Sequence, residues 1–273
     1  MLQNTCLGPQ FVHTRMMLCK CLLNTMFSPY LPSSYLIEKA MYKDGIPISP
    51  HLKLTSTNIY NLAIEVGFVD CGVAPVQRLD NDAQFMDQWI AQGLHGNMDY
   101  LERNRDKRYD PSVLVPGAQT VVVCLLHFDK SGRDYHRTVK SLLFRLEARL
   151  KEEFGEDIVS PTHQHIFCDS APMLERRWCM EAGLGFIGQN HQFIHPTLGS
   201  LVHPGEILIN APVPIANRQS PIAQFCADCR LCLEACPTGA LRNEVWDATQ
   251  CIAYTTHHCL ECQIVCPYNE VKS

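Results

Sequence analysis

Eight of the fifteen cysteines lie between Cys226 and Cys266, and their spacing constrains this chain more than any other feature. Cys226, Cys229, Cys232 and Cys236 form C-x2-C-x2-C-x3-C followed by Pro237, the signature of two-cluster ferredoxins. Cys251, Cys259, Cys262 and Cys266 repeat the end of that pattern before Pro267, with the first interval stretched from two residues to seven. The fourth cysteine of each run lies too far along the chain to close on its own cluster and reaches the other one. One 4Fe-4S cluster is therefore assigned to Cys226, Cys229, Cys232 and Cys266, and the second to Cys236, Cys251, Cys259 and Cys262. Structural zinc also uses paired C-x2-C motifs. It gains nothing from the middle triplet or from a proline after each last cysteine.

Thiolates feeding iron imply a reducing compartment, so the cytoplasm is the expected location. At 273 residues the chain can bury a large core and carry a small appended module. The apolar run Val121 to Leu126 is a third of a membrane span, and no membrane association is expected. The net charge of -5 excludes a surface basic all over. Between Lys130 and Lys151, however, seven Lys or Arg face two acids. That stretch reads either as a surface for a phosphate backbone or as a solvated helix face.

Taken in order, residues 1–55 carry no sustained period, and their prolines interrupt any helix, so they read as a poorly ordered extension. Ile59, Leu62, Ala63 and Val66 keep helical spacing up to Gly67, and a second helix is predicted over 83–92. The crowded Arg103, Arg105, Lys107 and Arg108 suit phosphate or carboxylate contacts. Thr120 to Phe128 reads as a buried strand, and Val139, Leu142, Leu143, Leu146, Leu150 and Phe154 mark one face of an amphipathic helix. Asp134-x-His136 partly matches the D-x-H-x-x-G motif that supplies a cobalt ligand in some corrinoid proteins, with Val139 where glycine belongs. His165 to Cys168 reads as a short strand leading through Asp169 to a helix. An acid there either caps the helix or lines a cleft as a proton donor. Gly183 to Gly188 matches G-x-G-x-x-G, but helix precedes it where a strand is required, which rejects a dinucleotide site. His191, His195 and His203 are spaced as polar loop residues, and Glu206 to Asn210 reads as the last strand.

From about residue 57 to 270 the chain resembles the epoxyqueuosine reductases. The resemblance is carried by His95-Gly-Asn-Met-Asp-Tyr, Arg103-Asn-Arg-Asp-Lys-Arg, Gly132-Arg-Asp-Tyr-His, Asp169-Ser-Ala-Pro-Met-Leu-Glu, Ala182-Gly-Leu-Gly-Phe-Ile-Gly, Gly199-Ser, Gly205-Glu and the double cysteine run. It implies an α/β, nitroreductase-like, corrinoid-binding domain over 56–218 with a ferredoxin-like two-cluster domain over 219–273. It further implies two 4Fe-4S clusters and cobalamin, and reduction of epoxyqueuosine to queuosine in the tRNA anticodon loop. Asp169 corresponds to the family's active-site acid, expected to titrate above its ordinary range. Arg108, His191, Gln192, Phe193, Val202 and Ala253 correspond to positions near the cobalamin. The implied partners are tRNA and a ferredoxin or flavodoxin reductant, with the chain acting as a monomer. Gln189 stands where a lysine is usual, and the 128–132 connection and the Cys251–Cys259 loop are short for the family. The alternatives are a corrinoid reductase of a small molecule, as in the dehalogenases, and a plain electron carrier.

Overall fold

The computed structural model describes residues 42–43, 46–47, 53–127, 134–161, 163–215, 224–241, 245–256 and 259–269. It divides into two units, 1–50 and 51–273. In the first, β1 (Tyr42–Lys43) pairs antiparallel with β2 (Ile46–Pro47). The rest of the expected extension up to residue 52, the 128–133 connection and the boundary expected at 218–219 lie outside the described residues.

The second unit opens with α1 (Ser56–Val66). The Thr55 side chain accepts the Asn58 N–H, and Gly67, at φ 117, ends the helix in a left-handed turn. Its predicted apolar face, Ile59, Leu62, Ala63 and Val66, is buried. Then come β3 (Asp70–Pro75) and α2 (Asp80–Ala91). That helix starts three residues before the predicted position, because its first turn carries Asp80 and Asp82 on an exposed face where hydrophobic period is silent. Two short helices, α3 (Arg105–Tyr109) and α4 (Pro111–Leu114), lead to β4 (Thr120–His127).

Helix α5 (Tyr135–Phe154) is capped by the Asp134 side chain. It buries Val139, Leu143, Leu146 and Leu150 completely, each side chain contributing about 1.5–3 kcal/mol of transfer free energy. After it come β5 (Ile166–Phe167), α6 (Glu175–Glu181), the ribbon β6 (Phe186–Ile187) with β7 (Phe193–Ile194), and β8 (Val202–Ile209). Strand β8 begins four residues before the predicted Glu206. Val202, His203 and Pro204 are only half-buried, so pairing with His127, Leu126 and Leu125 defines them rather than hydrophobicity.

The four-stranded sheet runs β3-β4-β8-β5 and every pairing is antiparallel. Alternation along β4 divides the core. Val122 and Cys124 face α1 and α5, while Val121, Val123 and Leu125 face Trp178 and Cys179 of α6. The fold is thus mixed α/β around an antiparallel sheet. Four short helices follow: α7 (Gln224–Asp228), α8 (Leu231–Glu234), α9 (Ile252–Thr256) and α10 (Glu261–Ile264). They have their own small apolar cluster of Cys232, Leu233 and Leu241. No helix among the described residues is long and apolar enough to cross a membrane.

Candidate active site

The short cysteine helices fold the two runs back on each other, with α8 packed against α10. Cys226, Cys229, Cys232 and Cys266 line one pocket together with Ile194, Leu231 and Tyr268. Cys236, Cys251, Cys259 and Cys262 line a second cavity. The eight cysteines thus line two pockets, four to each. Burial, then the neighbouring cysteine charges, pushes the Cys232 and Cys262 thiols up to about 11. Among the described residues no three His, Cys, Asp or Glu converge closely enough for a single ion.

The second cavity adjoins a cleft containing Asp169, and Arg176, Gln192, Leu260 and Gln263 line both. Gln192, Phe193 and Val202 lie in the cleft wall and Ala253 in the second cavity. The loop supporting this wall is glycine-dense for a steric reason. A Cβ on Gly185 would meet the Phe193 ring and the Ile194 carbonyl. His191 sits beside the cleft with its backbone at φ 56, its carbonyl accepting from Arg176 at 3.0 Å. Burial, and then the Arg176 charge, lowers its imidazole pKa. Arg108 is placed differently. Its guanidinium is buried and donates to the carbonyls of Leu101 (2.7 Å), Arg103 (3.0 Å) and Tyr100 (3.2 Å), while Arg105 pairs with Asp87. Two arginines of the cluster are therefore spent within the fold, and Arg108 lines a further pocket with Asp169, Ser170 and Glu175.

Asp169 holds a non-glycine left-handed conformation, φ 50, fixed by its N–H donating to Glu175 Oε1 at 2.6 Å. Its carboxylate accepts the Tyr135 hydroxyl and faces His136 Nε2 at 3.6 Å, while His136 Nδ1 meets Asp134 at 3.0 Å. Tyr135 stacks between His136 and His203, with ring centroids 4.0 and 3.8 Å apart. Asp134 and His136 thus bind each other and the acid, an arrangement that the partial cobalt motif did not suggest.

The expectation that Asp169 titrates high is overturned. Burial pushes it up, but hydrogen bonds with Glu175 and Tyr135 and the charges of His136 and Arg176 pull it below the ordinary range. The acids held high are Glu175, through burial, Glu206 and Asp169, and Glu206, through burial and then Asp169. Sequence reasoning missed Tyr135, Glu175, Arg176 and Glu206. The nearest signal was Gly205-Glu206, an acid inside an apolar strand pattern.

No family model matches the chain. The epoxyqueuosine reductase of Leadbetterella byssophila is 33% identical over 248 residues, 78% of this chain and 80% of that protein. That of Xanthomonas campestris pv. campestris is 32% identical over 257 residues, 79% and 70% of the two. The crystal structure of an epoxyqueuosine reductase with an epoxyqueuosine-modified tRNA-Tyr stem loop superposes with a TM-score of 0.69 at 26% identity, covering 80% of this chain and 66% of that one. A catabolic reductive dehalogenase shares the fold, with a TM-score of 0.53 at 14% identity over 82% and 33% of the two chains. An α/β domain with two four-cysteine cavities beside an acid-lined cleft has the architecture of a redox enzyme. The chain belongs to the epoxyqueuosine reductase family.

Proposed function

We propose that this chain reduces epoxyqueuosine to queuosine in a tRNA anticodon loop, with a ferredoxin-like module of two 4Fe-4S clusters and cobalamin as its cofactors. The observation that carries the reading is the shared wall: Arg176, Gln192, Leu260 and Gln263 bound both the second cysteine cavity and the Asp169 cleft. Electrons arriving in the module thus need cross only one layer of side chains to reach substrate. When bound, the clusters and the corrin supply electron storage and the bond-breaking chemistry that no side chain provides.

This chain's own residues do the rest. The eight cysteines hold the clusters, and Gln192, Phe193, Val202 and Ala253 offer a wall for the corrin, with His191 and Arg108 flanking it. Epoxide reduction consumes two electrons and two protons, breaks both C–O bonds and releases the oxygen as water. Asp169 delivers a proton to that oxygen, with Tyr135 and His136 fixing its carboxylate toward the cleft. Exposed Arg137 and Arg145 and half-buried Lys140 on α5, beside Phe144, form a basic surface for the tRNA backbone. A monomer in the cytoplasm with a ferredoxin- or flavodoxin-type reductant completes the reading.

The test is an anaerobic assay of the cluster- and cobalamin-loaded protein on epoxyqueuosine-containing tRNA, scored by queuosine formed. Asp169→Asn, which tolerates the left-handed backbone, should lower turnover about 10²- to 10⁴-fold with an unchanged thermal midpoint. Full turnover by the variant would remove Asp169 from the chemistry. The shared dehalogenase fold keeps a second reading, reduction of a small molecule. It is favoured if bound cobalamin and reducible clusters give no queuosine.

A further inference from the structure

Glu206 is the most anomalous buried side chain among the described residues. It lies mid-strand on β8, opposite Val123 of β4 and Phe167 of β5. Strand alternation therefore points it into the layer of Val121, Val123, Phe167, Trp178 and Leu208. It is 0% exposed, and neither carboxyl oxygen has a hydrogen-bond partner. The titratable groups that act on it or feel its charge are Cys124 from β4, Cys168 and Asp169 from the end of β5, and Glu175 and Cys179 from α6. Lys140 of α5 acts on Cys168, while among the described residues the charge that acts on Glu206 is that of Asp169.

An ionised carboxylate with no hydrogen-bond partner costs far more than the neutral acid in such a layer, so Glu206 carries a proton at rest at neutral pH. Stability does not explain its presence, because an apolar residue of similar volume would fill the space at lower cost. Alternation also puts Pro204, two residues before Glu206, on the same face of β8, and Pro204 lines the cleft with Asp169 and Glu175, which sets Glu206 just inside the wall that holds Asp169. Glu175 joins the two, since it accepts the Asp169 N–H at 2.6 Å and is destabilised as an anion by both neighbours. Three carboxyl groups thus run from core to cleft, and Asp169, with its side chain 47% exposed, faces the opening.

We infer that Glu206 and Glu175 are a proton store behind Asp169, used while substrate and cofactor shut the cleft to water. The inference rests on the proposed function, whose reaction takes up two protons and two electrons, the electrons coming from the ferredoxin-class reductant. Asp169, held below the ordinary carboxylate range and so ionised at rest, takes a proton from Glu175 and passes it to the departing oxygen, whose alkoxide is the stronger base. Glu206 then reprotonates Glu175, which supplies the second proton by the same path. When product leaves, the cleft refills with water and both protons are replaced through Asp169. In this scheme Glu206 is a positioning and storage residue that touches neither substrate nor cofactor.

Glu206→Gln, which matches the shape of the protonated acid but cannot give its proton away, tests the store in two independent ways. The cofactor-free wild-type protein at pH 7 should show the infrared carbonyl stretch of a buried protonated carboxylic acid, and the variant should lose that band. If the wild type has no such band, the acid is ionised and the inference is overturned. In the loaded enzyme the variant should keep KM and lower kcat about tenfold or more, with a larger solvent deuterium isotope effect on kcat. An unchanged kcat and isotope effect would overturn the relay. Should the wild type leave the tRNA unmodified, the proposed function falls separately, and the infrared band alone still decides whether Glu206 stores a proton.

Discussion

Glu206 and Glu147 show how differently two carboxylates of one core can be treated. Glu206 has no partner, so it subtracts from stability whatever its protonation state. Replacing it with methionine should therefore raise unfolding stability by about 1–3 kcal/mol, read as a higher midpoint in urea with unchanged slope. Glu147 is partnered by Lys151 at 2.7 Å and His165 at 3.0 Å. Burial would raise its pKa, but the hydrogen bonds from Lys151 and His165 bring it below the ordinary value. A depressed folded-state pKa stabilises at pH above the unfolded carboxylate range, about 4.3, and that contribution is lost as pH falls through the folded value. Thermal midpoints measured from pH 6 down to pH 3 should therefore fall less steeply in Glu147→Gln than in the wild type. Equal slopes would remove Glu147 from the acid response.

Helix α5 is the element on which both the core and the site depend. Its N-terminal turn supplies Tyr135 and His136 to Asp169, while Val139, Leu143, Leu146 and Leu150 anchor it on the sheet. Leu146→Ala should cost about 2–5 kcal/mol and lower activity only as far as the fold is lost, checked by chemical denaturation beside the turnover assay. Gly205→Ala should damage the same contact from the opposite side, because its Cβ would meet Val139 Cγ1 at 2.5 Å. This helix was legible in the sequence, as were α1 and β4, because each combines a sustained hydrophobic period with local caps or β-branched residues. The four-residue helices around the cysteines and the first half of β8 were not. Their cohesion comes from partners distant in sequence, as when Pro204 pairs with Leu125. The same division runs through the site. Cysteine spacing carried the two groups of four and the Asp169 segment carried the acid, whereas Glu175 and Glu206 acquire their chemistry only from burial and from each other.

At the scale of the whole molecule, the question is why the cysteine segment sits where its second cavity meets the cleft. Trp89 stacks on Trp246 at 5.6 Å and donates to its carbonyl at 2.6 Å, while the Ala248 N–H donates to Leu94. Asn190 donates to the Cys262 carbonyl at 3.2 Å, Gln189 to those of Cys226 and Ala227 at 2.7 Å, and Asn269 to Ser200 Oγ at 2.9 Å. Gln189 thus spends its amide on the backbone of the first cysteine group. Under the proposed function these contacts would give electrons a direction, because the Cys236, Cys251, Cys259, Cys262 cavity shares its wall with Asp169 whereas the Cys226 cavity is lined by none of the cleft residues. Each 4Fe-4S cluster holds four irons, so the wild type should bind about eight per chain and single-cage variants about four. The cages should then differ in function. Cys226→Ser, given a small chemical reductant that can reach the remaining cluster, should still complete a single turnover. Cys262→Ser, with its cluster intact on the far side, should not. Iron content and single-turnover yield measured on the same preparations decide it, and equal loss in both variants would mean that the path runs through neither cage in the order the geometry gives.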